Sequence, residues 1–208
     1  MERLRIVFRK GEEVRFLSHL DLMATLEYAV RRARLPVELS KGFNPRPRLS
    51  LAAPLPLGYV GEREVLEIVL RESLPPRQIL DRLQASVPPG IVILDVEEIA
   101  PGQKPAASRL RSADYRIELA DEIPSAEEQV ADLLSRATLD VEERRDDGVR
   151  RRDLRPLLLS LRALDARRLH MTVQLDSGGT VRPEQILALL SMPTDGARIT
   201  RERIELKD

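Results

Sequence analysis

Pro76-Arg77-Gln78-Ile79-Leu80 reappears as Pro183-Glu184-Gln185-Ile186-Leu187, 107 positions further along (76 to 183), in a chain of 208 residues. Each copy opens an amphipathic helix, because proline fits a first helical turn, where its missing N–H is no loss. Each is followed at the same distance by an apolar-rich strand, Ile91 to Ile99 in one half and Ile199 to Leu206 in the other. The repetition predicts two similar domains of about 100 residues, each large enough for its own core. It also predicts a cleft between them as a place for a ligand.

Working outward from the first copy, Leu4 to Phe8 reads as a strand that turns at Gly11. Ser18 starts a helix to about Arg34, and Asp21 three positions later completes a capping box. Leu22, Leu26, Ala29, Val30 and Ala33 share its apolar face. Residues 36–58 are rich in proline and turn residues around a short strand at Leu49 to Ala52. Glu64 to Leu70 is a strand, Pro76 to Ala85 a helix and Ile91 to Ile99 the closing strand, giving the order βαββαβ.

Pro101 to Ser108 has linker composition, so the domains are expected at 1–100 and 111–208 with a linker at 101–110. The second copy reads as a strand at Ala113 to Leu119, a helix at Ser125 to Ala137, strands at Thr138 to Glu143 and Arg168 to Leu175, a helix at Arg182 to Leu190 and a strand at Ala197 to Leu206. Arg150 to Ala163 stands as an insertion of unassigned structure. Twice βαββαβ is the order of an α+β, tandem ferredoxin-like chain, two antiparallel sheets each covered by helices on one face. The other sheet face is left for RNA, a partner protein or the second domain.

Composition narrows the chemistry. With 42% hydrophobic and 33% charged residues the chain is an ordinary globular one, and its 3% aromatic content leaves Leu, Val and Ile to build the cores. No apolar run approaches the ~20 residues of a membrane span, and the amino terminus lacks a secretory signal, so a cytoplasmic protein is expected. Zero cysteines and two histidines exclude disulfides, thiol catalysis and cysteine- or histidine-rich metal sites, so no cofactor is expected in this chain. Lys+Arg 34 against Asp+Glu 34 removes the bulk field of a basic nucleic-acid binder, leaving local patches to carry any such role. Phosphate-loop, dinucleotide, zinc-protease and hydrolase-elbow motifs are missing from the sequence.

Ser40-Lys41-Gly42-Phe43-Asn44-Pro45-Arg46-Pro47-Arg48-Leu49-Ser50 is the least ordinary stretch, since no acid occurs from Ser40 through Gly61. Lys41, Arg46 and Arg48 supply charge, Phe43 a stacking face and the two prolines stiffness, which suits contact with an unpaired base. The alternative is a tight connection in which Phe43 caps the core and the cations are solvated. Five of the six aromatics (Phe8, Phe16, Tyr28, Phe43, Tyr59) fall in the first half, favouring it as the binding half. His19, in the first turn of the first helix, can move a proton or touch a phosphate at the helix's positive end; it can equally hydrogen-bond locally and fix the helix entry. Ser18, His19 and Asp21 are too close on one helix start to form a nucleophilic triad.

His170 alternates with buried positions and reads as a surface residue of a strand. Arg31, Arg32 and Arg34 suit the negative end of the first helix. Arg144, Arg145, Arg150, Arg151, Arg152 and Arg155 crowd a turn that Asp146, Asp147 and Asp153 dilute, as in a hairpin with internal ion pairs or a phosphate track.

Arg15-Phe16-Leu17-Ser18-His19-Leu20-Asp21-Leu22-Met23, then Gly42-Phe43-Asn44-Pro45 and Pro54-Leu55-Pro56-Leu57-Gly58, resemble a bacterial family of radical SAM-linked proteins over essentially the whole chain. Asp153-Leu154-Arg155-Pro156 looks like a further element of that family. The resemblance implies an accessory domain encoded beside a radical SAM protein, or fused to its carboxyl terminus, and thus a radical SAM protein as partner. Arg46 departs from the histidine the family often carries after Asn-Pro, so no second histidine joins His19. A looser similarity of architecture links the chain to CRISPR repeat-processing RAMP endoribonucleases, although Ser177-Gly178-Gly179 does not reproduce their glycine-rich loop.

Three functions are therefore expected, in order: an accessory module binding or presenting RNA through Ser18, His19, Lys41, Phe43, Asn44, Arg46 and Arg48; a protein-docking module without RNA; and a metal-independent endoribonuclease with His19 as acid or base and Lys41 or Arg46 stabilising the phosphorane.

Overall fold

The computed structural model of the chain describes residues 2–145, 148–176 and 178–207. It is a mixed α+β structure that divides into two compact units, Met1–Leu110 with Leu206–Asp208, and Arg111–Glu205.

The first unit comprises β1 (Glu2–Lys10), α1 (His19–Arg32), β2 (Leu49–Leu51), β3 (Val60–Leu70), α2 (Pro76–Gln84) and β4 (Ile91–Glu98). Its strands stand in the order β4-β1-β3-β2, each neighbour antiparallel. Alternation decides which face is buried. Leu4, Ile6 and Phe8 of β1 stand opposite Ile68, Leu66 and Glu64 of β3, and they pack in one core with Leu22, Leu26 and Val30 of α1 and Ile79 and Leu83 of α2. The spacing of the α1 residues is the i, i+4, i+8 stripe of an amphipathic helix. The capping box is present: the Asp21 N–H donates to Ser18 Oγ at 3.2 Å, and the Ser18 N–H and Oγ–H both donate to the Asp21 carboxylate.

The second unit comprises β5 (Leu110–Glu118), α3 (Ala126–Ser135), β6 (Asp140–Arg145), β7 (Gly148–Asp153), β8 (Leu158–Ala163), β9 (Arg168–Gln174), α4 (Pro183–Leu189) and β10 (Arg198–Leu206). Its strand order is β10-β5-β9-β8. Ala113, Tyr115 and Ile117 of β5 pair with Val173, Met171 and Leu169 of β9, and all six are buried.

Here the sequence reading needs one correction. The strand assigned to Thr138–Glu143 does not join the unit's sheet; β6 and β7 form a separate two-stranded hairpin. The place of a second strand is taken by Leu158–Ala163, inside the stretch set aside as an insertion. The reason is burial. Asp-Val-Glu-Glu-Arg-Arg offers no apolar face, whereas Leu158 and Leu161 are buried against β9.

Residues 101–110 do more than connect. Ala106 is buried with Ala52 and Val65, its N–H donates to Glu67 Oε1 at 3.0 Å, and Arg3 reaches both the Gln103 carbonyl and Glu67. The face of the first sheet that the helices leave open is thus partly covered by this segment.

Candidate functional site

The residues singled out by sequence fall at two opposite ends of the first unit. At one end, Lys10 closes β1 opposite Gly61. Its side chain is fully buried, and its ammonium donates to the carbonyls of Arg15 (2.7 Å), Leu17 (3.1 Å) and Tyr59 (3.3 Å). A buried ammonium requires such acceptors, so Lys10 ties the approach to α1 to the Pro54–Gly58 turn. The Gly58 N–H adds a bond to the Arg15 carbonyl at 3.0 Å, and its φ of +85° explains why glycine ends that turn. Two motifs that sequence quoted separately therefore meet here, and Lys10, the residue joining them, was missed. The available signal was alternation, which puts Lys10 on the same face of β1 as Leu4, Ile6 and Phe8.

His19 stands in the first turn of α1 at this end, exposed, and its ring makes no hydrogen bond among the described residues. Ser18 and Asp21 are occupied with capping. Phe16, 67% exposed, lies under the Arg15 guanidinium at 4.6 Å.

At the other end, residues 33–48 connect α1 to β2. The Ser40 N–H donates to the Arg46 carbonyl (2.7 Å), the Arg46 N–H to Ser40 Oγ (3.0 Å) and the Arg48 N–H to the Glu38 carbonyl (2.7 Å). The result is a clamped loop whose tip is Lys41-Gly42-Phe43-Asn44-Pro45, with Gly42 at φ +149°. Pro47 is buried while Lys41, Asn44, Arg46 and Arg48 are exposed. Phe43 is wholly exposed and caps no core. Lys41, Arg46 and Arg48 have no ion pair or side-chain hydrogen bond among the described residues.

Backbone contacts bring further cations to this end. The Glu38 N–H donates to the Val69 carbonyl and the Arg71 N–H to the Pro36 carbonyl, setting exposed Arg71 beside the loop base. Exposed Arg31, Arg32 and Arg34 finish α1 there. Sequence read the helix-end arginines as dipole partners and passed over Arg71, because the neighbourhood exists only once β3 and the loop are paired. Glu27, Glu38 and Glu72 are the acids nearest in sequence to these cations.

His19 and the loop are not brought together. Gly61, opposite Lys10, and Ile68, opposite Leu49 at the loop's foot, are seven positions apart on β3, about 23 Å of extended strand.

In the second unit, His170 does lie on the sheet face away from the helices, but its side chain is only 16% exposed, with Nε2 3.4 Å from Glu202 and Nδ1 buried without a hydrogen-bond partner. Near it, Asp114 accepts from Thr172 Oγ1 at 2.6 Å and pairs with Arg203. Burial pushes that carboxyl up, yet these two hydrogen bonds and the arginine's charge outweigh it and hold Asp114 below the ordinary carboxylate range. A cleft of about 390 Å³ is lined by Glu118, Glu122, Asp165, Arg167 and Arg168, among others, and contains none of the residues expected from sequence.

The arginine-rich turn is a hairpin with cross-strand compensation: Glu142 stands opposite Arg151 and Glu143 opposite Arg150, with Arg151 and Glu142 3.7 Å apart. Asp146, Asp147 and Ser177 lie outside the described residues. Asp153 closes the hairpin, accepting the N–H groups of Leu139 (2.7 Å) and Arg155 (2.8 Å); those bonds hold its carboxyl below the ordinary range. Leu154 beside it is fully buried. The Asp153-Leu154-Arg155-Pro156 element therefore has a structural task.

Among the described residues, no helix is long and apolar enough to cross a membrane. The model of a family of uncharacterised proteins conserved in bacteria matches residues 3–183. No curated protein matches the chain. Among solved structures, a chain of a Cbf5-Nop10-Gar1 complex is similar at 10% identity with a TM-score of 0.46, covering 98% of this chain and 48% of the other, so this chain spans about half its length. An unknown protein from Galdieria sulphuraria (13% identity, TM-score 0.29, 100% and 99% covered) is another. A third is a putative glycine cleavage system transcriptional repressor (9%, 0.26, 99% and 98%).

Proposed function

The chain belongs to this family of uncharacterised proteins conserved in bacteria (DUF2344), and from the chemistry of its basic end we propose that it is a non-catalytic module that binds or presents RNA to a radical SAM enzyme. The observation that carries the RNA reading is Phe43, a wholly exposed ring on a clamped tip beside cations with no partner of their own. Water is a poor place for such a ring unless something stacks on it. An unpaired base does so, and its phosphates answer Lys41, Arg46 and Arg48.

The radical SAM part rests on the motif resemblance alone. Each unit's strand order, with one helix after the first strand and one before the last, supports a tandem ferredoxin-like reading, and a cytoplasmic location belongs to the same proposal.

Fluorescence anisotropy with a labelled single-stranded RNA tests the RNA reading. Binding at low salt that the Lys41, Arg46, Arg48 triple-alanine variant loses is the expected result; no binding at low salt, with or without a radical SAM partner, ends it. The ribonuclease reading is weakened because about 23 Å of β3 separates Gly61, opposite Lys10, from Ile68 at the foot of the cationic loop. His19→Ala is expected to leave RNA affinity within about twofold, since it contacts neither loop nor cations.

A further inference from the structure

The outer face of α1 is apolar where water should meet it. Leu20 and Tyr28 are 76% and 69% exposed, and Ala24, also exposed, lies midway between them. Residues four apart form a ridge along a helix. Phe16 and Leu57, 67% and 61% exposed, extend the patch from the helix start, where the Gly58 turn is bonded to Arg15. The opposite face of α1 is already spent on the core through Leu22, Leu26, Ala29 and Val30.

We infer that this ridge is a self-association surface, on which a second copy of the chain docks its own α1 antiparallel across a twofold axis at Ala24. Three features select a second copy. Size along the ridge is symmetric, large-small-large, so an antiparallel copy sets each Leu20 beside a Tyr28 while the two Ala24 residues permit close approach, as a self-complementary patch requires. Asp21 and Glu27, three positions either side of Ala24, fall on opposite flanks of the helix, so the twofold forces no like-charge pair. At roughly 200 Å² per large side chain, the four exposed apolar residues leave on the order of 500 Å² in water, hence about 1,000 Å² across two copies, which is the size of a weak specific dimer. The inference stands independently of the RNA reading.

The chain has no cysteine, which makes the test clean. Ala24→Cys on the ridge is compared with Arg77→Cys on α2, whose side chain is 81% exposed. A disulfide needs Cα atoms within about 7 Å, so under mild oxidation Ala24→Cys should give a covalent dimer at least about tenfold faster than Arg77→Cys. In sedimentation equilibrium the unmodified full chain should move from one-chain towards two-chain mass between low micromolar and several hundred micromolar, as suits a small interface. Leu20→Glu should hold it at one-chain mass with an unchanged melting temperature. One-chain mass throughout that range, or equal crosslinking by the two cysteine variants, overturns the inference and leaves the ridge to a different protein.

Discussion

Both units elaborate the same connection, from their first helix to their second sheet strand, and they do so in opposite ways. In the first unit residues 33–48 make a loop in which Lys41, Arg46 and Arg48 enter no ion pair among the described residues, although Glu38 lies across from Arg48, and whose phenylalanine is wholly exposed. In the second, residues 136–157 make a hairpin in which glutamates stand opposite arginines and Asp153 and Leu154 seal the base. Charge count alone does not separate them, for both are arginine-rich. Ion pairing and a sealed base do: among the described residues the second has an Arg151–Glu142 pair and the buried Leu154, and the first leaves Lys41, Arg46 and Arg48 unpaired.

The comparison breaks most visibly through Leu154→Ala. Removing a fully buried leucine should cost about 3 kcal/mol, read as a lowered melting temperature, whereas Phe43→Ala in the loop should change stability by less than about 0.5 kcal/mol. If Phe43→Ala destabilises comparably, the loop is structural after all. Its own effect belongs to binding: losing one base stack should weaken single-stranded RNA by about 1–3 kcal/mol in a titration. Next in size is salt. Each phosphate contact on a single strand contributes about 0.7 to the slope of log K against log salt, so the triple-alanine loop should flatten that slope by about 2, and Arg150→Ala with Arg151→Ala should leave it unchanged.

The smallest effect is acid sensitivity. Asp153 has its carboxyl lowered by the Leu139 and Arg155 amides. Its charged form is therefore preferred in the folded chain, and its contribution is present above the unfolded value of about 3.9 and lost as pH falls through the folded one. Asp153→Asn should remove that part of the decline in stability below about pH 4, measured by denaturation across pH. An identical acid limb in the variant would detach Asp153 from the hairpin's closure.

What sequence could and could not disclose follows from the range of the interactions. The capping box of Ser18 and Asp21, the α1 stripe and the proline-started α2 and α4 are local signals, and each was legible. The sheet strand at Leu158–Ala163 was not, because Leu157-Leu158-Leu159-Ser160-Leu161 lacks clean alternation, while Leu139 and Val141 alternate just enough for the hairpin's first arm to read as a strand of the main sheet. Phe43 was singled out correctly as unusual, but its burial was left open by the sequence. Lys10 and Arg71 gain their meaning only from carbonyls and turns 5 to 49 positions away and from a paired β3.

The strand ends at Leu206–Asp208 count with the first unit: Leu206 packs at Ala52, Val65 and Ala106, while the Lys207 N–H donates to the Arg109 carbonyl and the Arg109 guanidinium to the Lys207 carbonyl. On the ribosome, the first unit therefore waits with one seam unsewn until all of residues 111–205 have been translated. A gene cut at the linker would deliver an amino-terminal fragment with that seam permanently open, lacking the Leu206 and Lys207 contacts.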